Sequence, residues 1–260
     1  MLNKTDEKIE KTELGIKTYD SAHEKRTRQQ FVEHLKKCPV PDAQLLSNLG
    51  LFLNSKNLSR ILFMNHLYKK IIDVQGIIIE FGTRWGQNLA LYSSLRGIYE
   101  PFNRHRKIVG FDTFAGFPNI SKKDGSSDLM QSGNLSVTEN YVEYLTKILE
   151  YQEQDNPLSH IKKFELRPGD AVVEIERYLK EYPETIIALA YFDFDIYEPT
   201  SKCLEAIKPH MVKGSVLGFD ELNDPDSPGE TIALKEVFGL NNISLKRYRY
   251  TSRVSYFVVE

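Results

Sequence analysis

Cysteine is scarce in this chain: 260 residues hold two, Cys38 and Cys203. They lie far apart and form no CxxC pair, which argues against a disulfide framework and against a zinc site. A strong net charge of either sign is also lacking. The net charge is −2 and no long basic block occurs, so nothing marks a surface for nucleic acid or an anionic membrane. The one local cluster, Arg104, His105, Arg106 and Lys107, reads as a solvated loop ahead of a strand. No apolar run approaches the ~20 residues that cross a bilayer. Residues 1–28 are rich in Lys, Glu and Thr and have no apolar signal-peptide core. The expectation is a reducing, cytoplasmic setting, with neither nucleic acid nor membrane as partner.

What is present is ordinary for a globular protein: 41% hydrophobic and 27% charged residues. Residues 1–25 read as a polar arm and residues 26–75 as an N-terminal helical layer. Within that layer Leu58, Ile61, Leu62, Leu67, Tyr68 and Ile71 recur at helical spacing, interrupted by Asn65. Residues 76–260 then alternate. Strand-like runs at 76–81, 107–112, 162–166, 186–192 and 215–219 are separated by helical patterns at 86–97, 137–151, 172–181, 199–207 and 230–238. Uninterrupted apolar strands between amphipathic helices indicate an α/β fold, a parallel sheet covered on both faces. The rhythm breaks at the end. Runs 244–250 and 254–259 read as an antiparallel hairpin joined by a three-residue turn. The long connection 114–136, with its glycines, serines and lysines, reads as a mobile lid.

Ligands of open α/β sheets bind beyond the carboxyl ends of the strands, so the chemistry is sought there. The first strand ends in Glu80, followed by Gly82 and Gly86. Glycine permits a tight turn and close backbone approach to a ligand. The pattern is E-x-G-x-x-x-G, without the third glycine of the dinucleotide fingerprint. The second strand ends in Asp112, placed to accept hydrogen bonds from ribose hydroxyls or to cap a turn. The third is followed by Asp170, an adenine acceptor or a helix cap. The fourth runs into Asp193 and Asp195, which strand alternation would put on one face. Burying two like charges costs several kcal/mol unless a cation or proton offsets them. The fifth ends in Asp220 and Glu221. Carboxylates converging from adjacent strands suit a hard divalent cation such as Mg²⁺.

Four stretches, "IIEFGTRWGQNLA", "VGFDTFAGFP", "YFDFDIYEPT" and "GSVLGFDELNDPDSPGETIAL", resemble the metal-dependent sugar O-methyltransferases of the macrocin and mycinamicin type. That resemblance implies a class I methyltransferase fold, five parallel strands plus a terminal antiparallel hairpin. It implies S-adenosylmethionine as methyl donor, with Glu80, Gly82 and Gly86 beside its methionine part, Asp112 at the ribose and Asp170 at the adenine. It also implies Mg²⁺ held by Asp193, Asp220 and Glu221, and a glycoside or sugar as acceptor. Glu221 stands where the family usually has a second aspartate, and Phe194 where it has glycine. Asp195, beside the metal ligand Asp193, is the candidate general base, with metal ligation as its alternative role. The N-terminal layer suggests a homo-oligomer. Two rival readings stay open: a nicotinamide-dependent oxidoreductase, and a non-catalytic assembly module that keeps the fold.

Overall fold

Short β-branched and aromatic runs build the sheet. The structure, a computed structural model, describes residues 20–260. Its strands are β1 (Ile77–Phe81), β2 (Ile108–Asp112), β3 (Phe164–Pro168), β4 (Ile187–Phe192), β5 (Met211–Phe219), β6 (Lys246–Arg247) and β7 (Ser255–Val258). They form one seven-stranded mixed sheet in the order β3-β2-β1-β4-β5-β7-β6. Pairing is parallel from β3 through β5 and antiparallel for β5–β7 and β7–β6. The last pair is shorter than the sequence suggests. Lys246–Arg247 alone pairs with β7, and residues 248–254 form the connection in place of a three-residue turn. Tyr248 is buried under Phe63, 5.1 Å between ring centres, so its packing on a helix competes with extension of the strand.

Alternation along the strands separates two cores. Ile78, Leu189 and Val216 face one side, where α3 (Ser55–Lys70), α4 (Gln87–Tyr99) and α5 (Tyr141–Gln154) pack. Ile79, Ala190 and Leu217 face the other, covered by α6 (Ala171–Glu181), α7 (Tyr197–Ile207) and α8 (Gly229–Phe238). Cys203 is buried in the second core, Cys38 is half-buried, and both are free thiols. No described helix is long and apolar enough to cross a membrane.

The N-terminal region differs from its sequence reading in three ways. Helix α1 (Ala22–Lys36) begins inside the expected polar arm, with Ser21 and Glu24 forming a capping box; residues 1–19 of that arm lie outside the described residues. The expected helical layer is interrupted: a short α2 (Asp42–Leu45) and a 3₁₀ turn (Leu46–Phe52) precede α3. On α3 the buried stripe is Phe63, Met64, Leu67, Tyr68 and Ile71, while Leu58 and Leu62 are 42% and 39% exposed. The stripe is rotated toward the sheet, where Phe63 meets Tyr191 and Leu67 lies over Gly218; Arg60, four residues before Met64, neighbours it.

The basic cluster is not wholly a solvated loop either. Arg106 is 1% exposed. It donates to the carbonyls of Ile71, Val74 and Gly76 and pairs with Glu100 at 2.8 Å. Those carbonyls close α3 and lead into β1, so one buried guanidinium ties the helical layer to the sheet.

Candidate active site

Four adjacent strands end on the same two-residue plan: a phenylalanine, then a residue facing the crevice. The pairs are Phe81–Gly82, Phe111–Asp112, Phe192–Asp193 and Phe219–Asp220. Phe111, Phe81, Phe192 and Phe219 form a row across the sheet, with ring centres 5.3, 4.8 and 5.3 Å apart, all 0% exposed. Backbone bonds continue one residue beyond it. Gly82 donates to Phe111, Asp193 to Phe81 and Asp220 to Phe192, at 2.9, 2.9 and 3.0 Å. The row therefore locks the register that brings Asp112, Asp193 and Asp220 to one level. Removing one of its rings would cost about 3–5 kcal/mol.

Strand order reverses between β1 and β4, the point where α/β sheets open a crevice. Gly82 makes the approach of these two strand ends possible. Its φ is +84°, and a Cβ there would lie 2.0 Å from the Asp193 carbonyl oxygen. Gly86 caps α4 in a left-handed conformation. A cavity of about 390 Å³ opens above, lined by Gly82, Gly86, Asp112, Asp170, Asp193 and Asp195 among others.

A cation already sits between two of the carboxylates. Arg60 of α3 reaches Asp193 at 2.7 Å and Asp220 at 2.5 Å. Tyr191 donates to Asp220 at 2.9 Å. Arg60 also touches Asn88, whose side chain donates to Glu80 at 2.6 Å. Glu80 thus lies at the back of the network, 1% exposed, with its second oxygen unpartnered. It does not itself line the cavity. Burial pushes its carboxyl up to about 8. Asp193 is also pushed up to about 8, by burial first and then by Asp220, against the pull of Arg60.

Asp195 is 5% exposed. Burial, and then the charge of Asp220, push it up to about 7. It converges with Asp193 through a turn, not through strand alternation. β4 ends at Phe192, and Asp195 has φ +62°, a left-handed backbone that costs a non-glycine residue roughly 1–2 kcal/mol. Asp112 accepts from the amides of Arg84 and Phe114 at 2.7 and 2.6 Å. Asp170 caps α6 through Val172 at 2.9 Å and also borders the cavity. The two sequence readings of Asp170 are therefore compatible in space.

Glu221 faces away from the Arg60 cluster. It pairs with Arg253 and accepts from Ser227. Among the described residues, no group of three His, Cys, Asp or Glu side chains is arranged to hold a metal ion. The donor chemistry of the pair is nonetheless that of a cation site: two carboxylates converge on a single position, and Arg60 fills it.

Comparisons with solved structures decide the family. The chain is 41% identical to CalS11, described as a calicheamicin methyltransferase, over 93% of this chain and 94% of that one, with a TM-score of 0.90. An apo structure of CalS11, described as a TDP-rhamnose 3'-O-methyltransferase, matches at 39% identity, 93% and 96% coverage and a TM-score of 0.82. The chain belongs to the CalS11 family of sugar O-methyltransferases. It is an O-methyltransferase. NovP, another O-methyltransferase, is 17% identical over 77% of this chain and 79% of its own, with a TM-score of 0.58, and shares the fold. No family model and no curated protein sequence matches the chain.

Of the residues singled out in the sequence, this O-methyltransferase brings Gly82, Gly86, Asp112, Asp170, Asp193, Asp195, Asp220 and Glu221 to one cavity. Three participants had no sequence signal strong enough to single them out. Arg60 is a charged residue on the buried stripe of α3, and that misfit was the available clue. Asn88 is the second residue of α4 and reaches Glu80 of β1. Glu230, 0% exposed, looks in sequence like an ordinary first-turn acid of α8.

The connection 114–136 is folded against the site. Phe117 and Met130 pack with Ile196, and Gly116, Phe117, Pro118, Leu129 and Leu135 form one wall of the cavity.

Proposed function

We propose that the protein transfers the methyl group of S-adenosylmethionine to a sugar hydroxyl, with Mg²⁺ bound at the carboxylate wall. The observation that carries this reading is the joint grip of Asp193 and Asp220 on one cationic position beside the Gly82 turn. Glu80, behind that turn, supplies negative charge toward a sulfonium and an ammonium group once the cationic donor draws off its proton. Gly82 and Gly86 leave bare backbone against the donor, while Asp112 holds its ribose and Asp170 its adenine. A more distant O-methyltransferase of this fold is described as a complex with SAH, which accords with that donor.

The acceptor oxygen attacks the methyl carbon in line, its lone pair forming the O–C bond while the C–S electron pair stays on sulfur. The protein's part is to align the two and to remove the hydroxyl proton. Asp195 takes that proton on its carboxylate. A dication held by Asp193 and Asp220, with Glu221 next in sequence, would lower the pKa of the attacking hydroxyl and fix its orientation. Arg60 must leave the pair for that ion to enter, and Glu221 must exchange Arg253 for it.

The acceptor we infer is a nucleotide-linked sugar or a glycoside. The domain reading is likewise ours: a helical layer over residues 26–75 and a donor-binding domain over 76–260. That layer exposes Phe31, Val32, Leu35, Leu46, Leu49 and Leu51, and no residue of α1 or α2 is buried. A homo-oligomer would cover it, which scattering mass would report.

Calorimetry with S-adenosylmethionine, NADH and Mg²⁺ separates this reading from its rivals. Binding of the first and third supports it. Binding of NADH alone would favour an oxidoreductase, and binding of none a non-catalytic module.

A further inference from the structure

The loop that leaves β4 carries Asp193 and Asp195, and three of its backbone amides donate to buried carboxylates from remote segments. Phe194 and Asp195 both donate to Glu230 Oε1, at 2.8 and 3.3 Å. Tyr197 donates to Asp124 Oδ1 at 2.5 Å. Glu230 is 0% exposed and Asp124 1%. Neither carboxylate pairs with a Lys or Arg among the ion pairs of the described residues.

We propose that Glu230 and Asp124 are positioning residues: a two-sided carboxylate clamp on this loop that fixes the direction in which Asp195 presents its side chain. The proposal rests on the reading of Asp195 as the base.

The physical case has three parts. First, a buried carboxyl group is costly unless its oxygens accept hydrogen bonds, and Glu230 Oε1 accepts two from successive backbone amides, which fixes their direction. Glu230 meets that cost only in part, since its Oε2 has no partner. A group kept at such cost solely to fill a helix end could be replaced by an apolar side chain. Second, the loop needs a clamp, because Asp195 is held at φ +62° without being glycine. Such conformations persist when the surroundings over-determine them.

Third, the clamp's two arms meet at one point. A Cβ on Gly229 would lie 2.6 Å from the Tyr197 amide, 2.7 Å from Asp124 Oδ1 and 2.9 Å from the Asp195 carbonyl. Glycine at 229 is thus what lets α8 reach the loop with Glu230 in its first turn. The opposite arm comes from the connection 114–136. Ser121 and Asp124 there form a capping box on a 3₁₀ turn, which orients the Asp124 carboxylate. Its Oδ2 accepts from the Ser121 amide at 2.6 Å, leaving Oδ1 for Tyr197. The cavity wall built from that connection and the loop bearing Asp195 are therefore joined directly.

Hydrogen exchange and kinetics on the intact protein test this together. In Glu230→Ala the peptide spanning residues 193–198 should exchange at least about tenfold faster, with the peptides of β1 and β5 unchanged. Methyl-transfer kcat should fall about a hundredfold while KM for the donor moves less than about threefold. Glu230→Gln keeps an acceptor oxygen and should recover most of both losses. Asp124→Ala should reproduce the exchange effect from the other side, which keeps the test alive if Glu230→Ala does not fold.

A double-mutant cycle with Asp195→Asn separates the two claims. If Glu230 acts through Asp195, adding Glu230→Ala to Asp195→Asn costs less than about threefold. Additive losses, or unchanged exchange at 193–198 in both alanine variants, overturn the clamp. Full activity in Asp195→Asn instead removes the base itself and leaves the exchange result to judge the clamp.

Discussion

Replacing Glu80 with glutamine should stabilise the unliganded protein and weaken its donor complex, opposite effects from one exchanged atom. Glu80 takes a single hydrogen bond, from Asn88 at 2.6 Å, and its other oxygen has no partner. Burial is the main force raising its carboxyl from an ordinary 4.5 to about 8, with Asn88 opposing and Asp193 adding to it. Between those two values the unfolded chain releases a proton that the folded chain retains. Stability therefore falls as pH rises through this window and levels off above about 8.

At 1.36 kcal/mol per unit of pKa difference, the loss reaches about 3 kcal/mol at pH 7. Glutamine keeps an acceptor oxygen for Asn88 and does not titrate. Urea unfolding of both proteins at pH 5 and 8.5, without donor or metal, isolates the effect. The variant's advantage should grow by about 4 kcal/mol between these pH values. Donor affinity should move the other way, falling at least about tenfold at pH 8.5, because the cationic donor loses its buried anion. A stability difference that does not change with pH would refute the reasoning. So would undiminished donor binding.

Other expected outcomes follow from the same geometry. Arg60→Met removes the cation shared by Asp193 and Asp220, so Mn²⁺ or Mg²⁺ should bind about ten- to a hundredfold tighter at pH 8.5 by calorimetry; weaker binding would mean that Arg60 assembles the site instead of competing for it. Gly82→Ala drives a Cβ to 2.0 Å from the Asp193 carbonyl at φ +84°; it should lose more than about 2 kcal/mol in thermal unfolding, and donor binding with it. Asp195→Asn should lower kcat by about 10²–10⁴ with little change in donor affinity; a change in donor affinity alone would move Asp195 out of the base role.

Four of the five parallel strand ends were legible in sequence because each closes an apolar run with phenylalanine and then glycine or aspartate; β3, with Glu165 and Arg167 inside it, lacks that stop. Phe81–Gly82, Phe111–Asp112, Phe192–Asp193 and Phe219–Asp220 mark that stop in one dimension, and the sheet only aligns them. Local periodicity also located the five helices from α4 to α8. It misplaced the stripe on α3, because Leu58 and Leu62 fit a helical repeat as well as Phe63 and Met64 do. Packing on the sheet face chooses between them, with Phe63 on Tyr191 and Leu67 over Gly218. The hairpin was over-extended for a similar reason: Tyr248 has strand propensity but packs on Phe63.

What sequence could not supply is pairing at long range. Arg60 meets Asp193 and Asp220 across 133 and 160 residues, and Glu230 reaches back 36 residues to Phe194. Asp195 shows the limit of strand alternation. The alternation rule put it beside Asp193, and both border one cavity, but a left-handed turn and not a pleat brings it there.

The central claim is metal-assisted transfer of a methyl group to a sugar at the carboxylate wall. It is tested most directly by following label from S-adenosylmethionine into nucleotide sugars and glycosides, with Mg²⁺ and with excess EDTA, in the wild type and in Asp193→Asn. The expected result is a labelled sugar ether formed by the wild type in Mg²⁺ alone. Equal labelling in EDTA, or in Asp193→Asn, would contradict it.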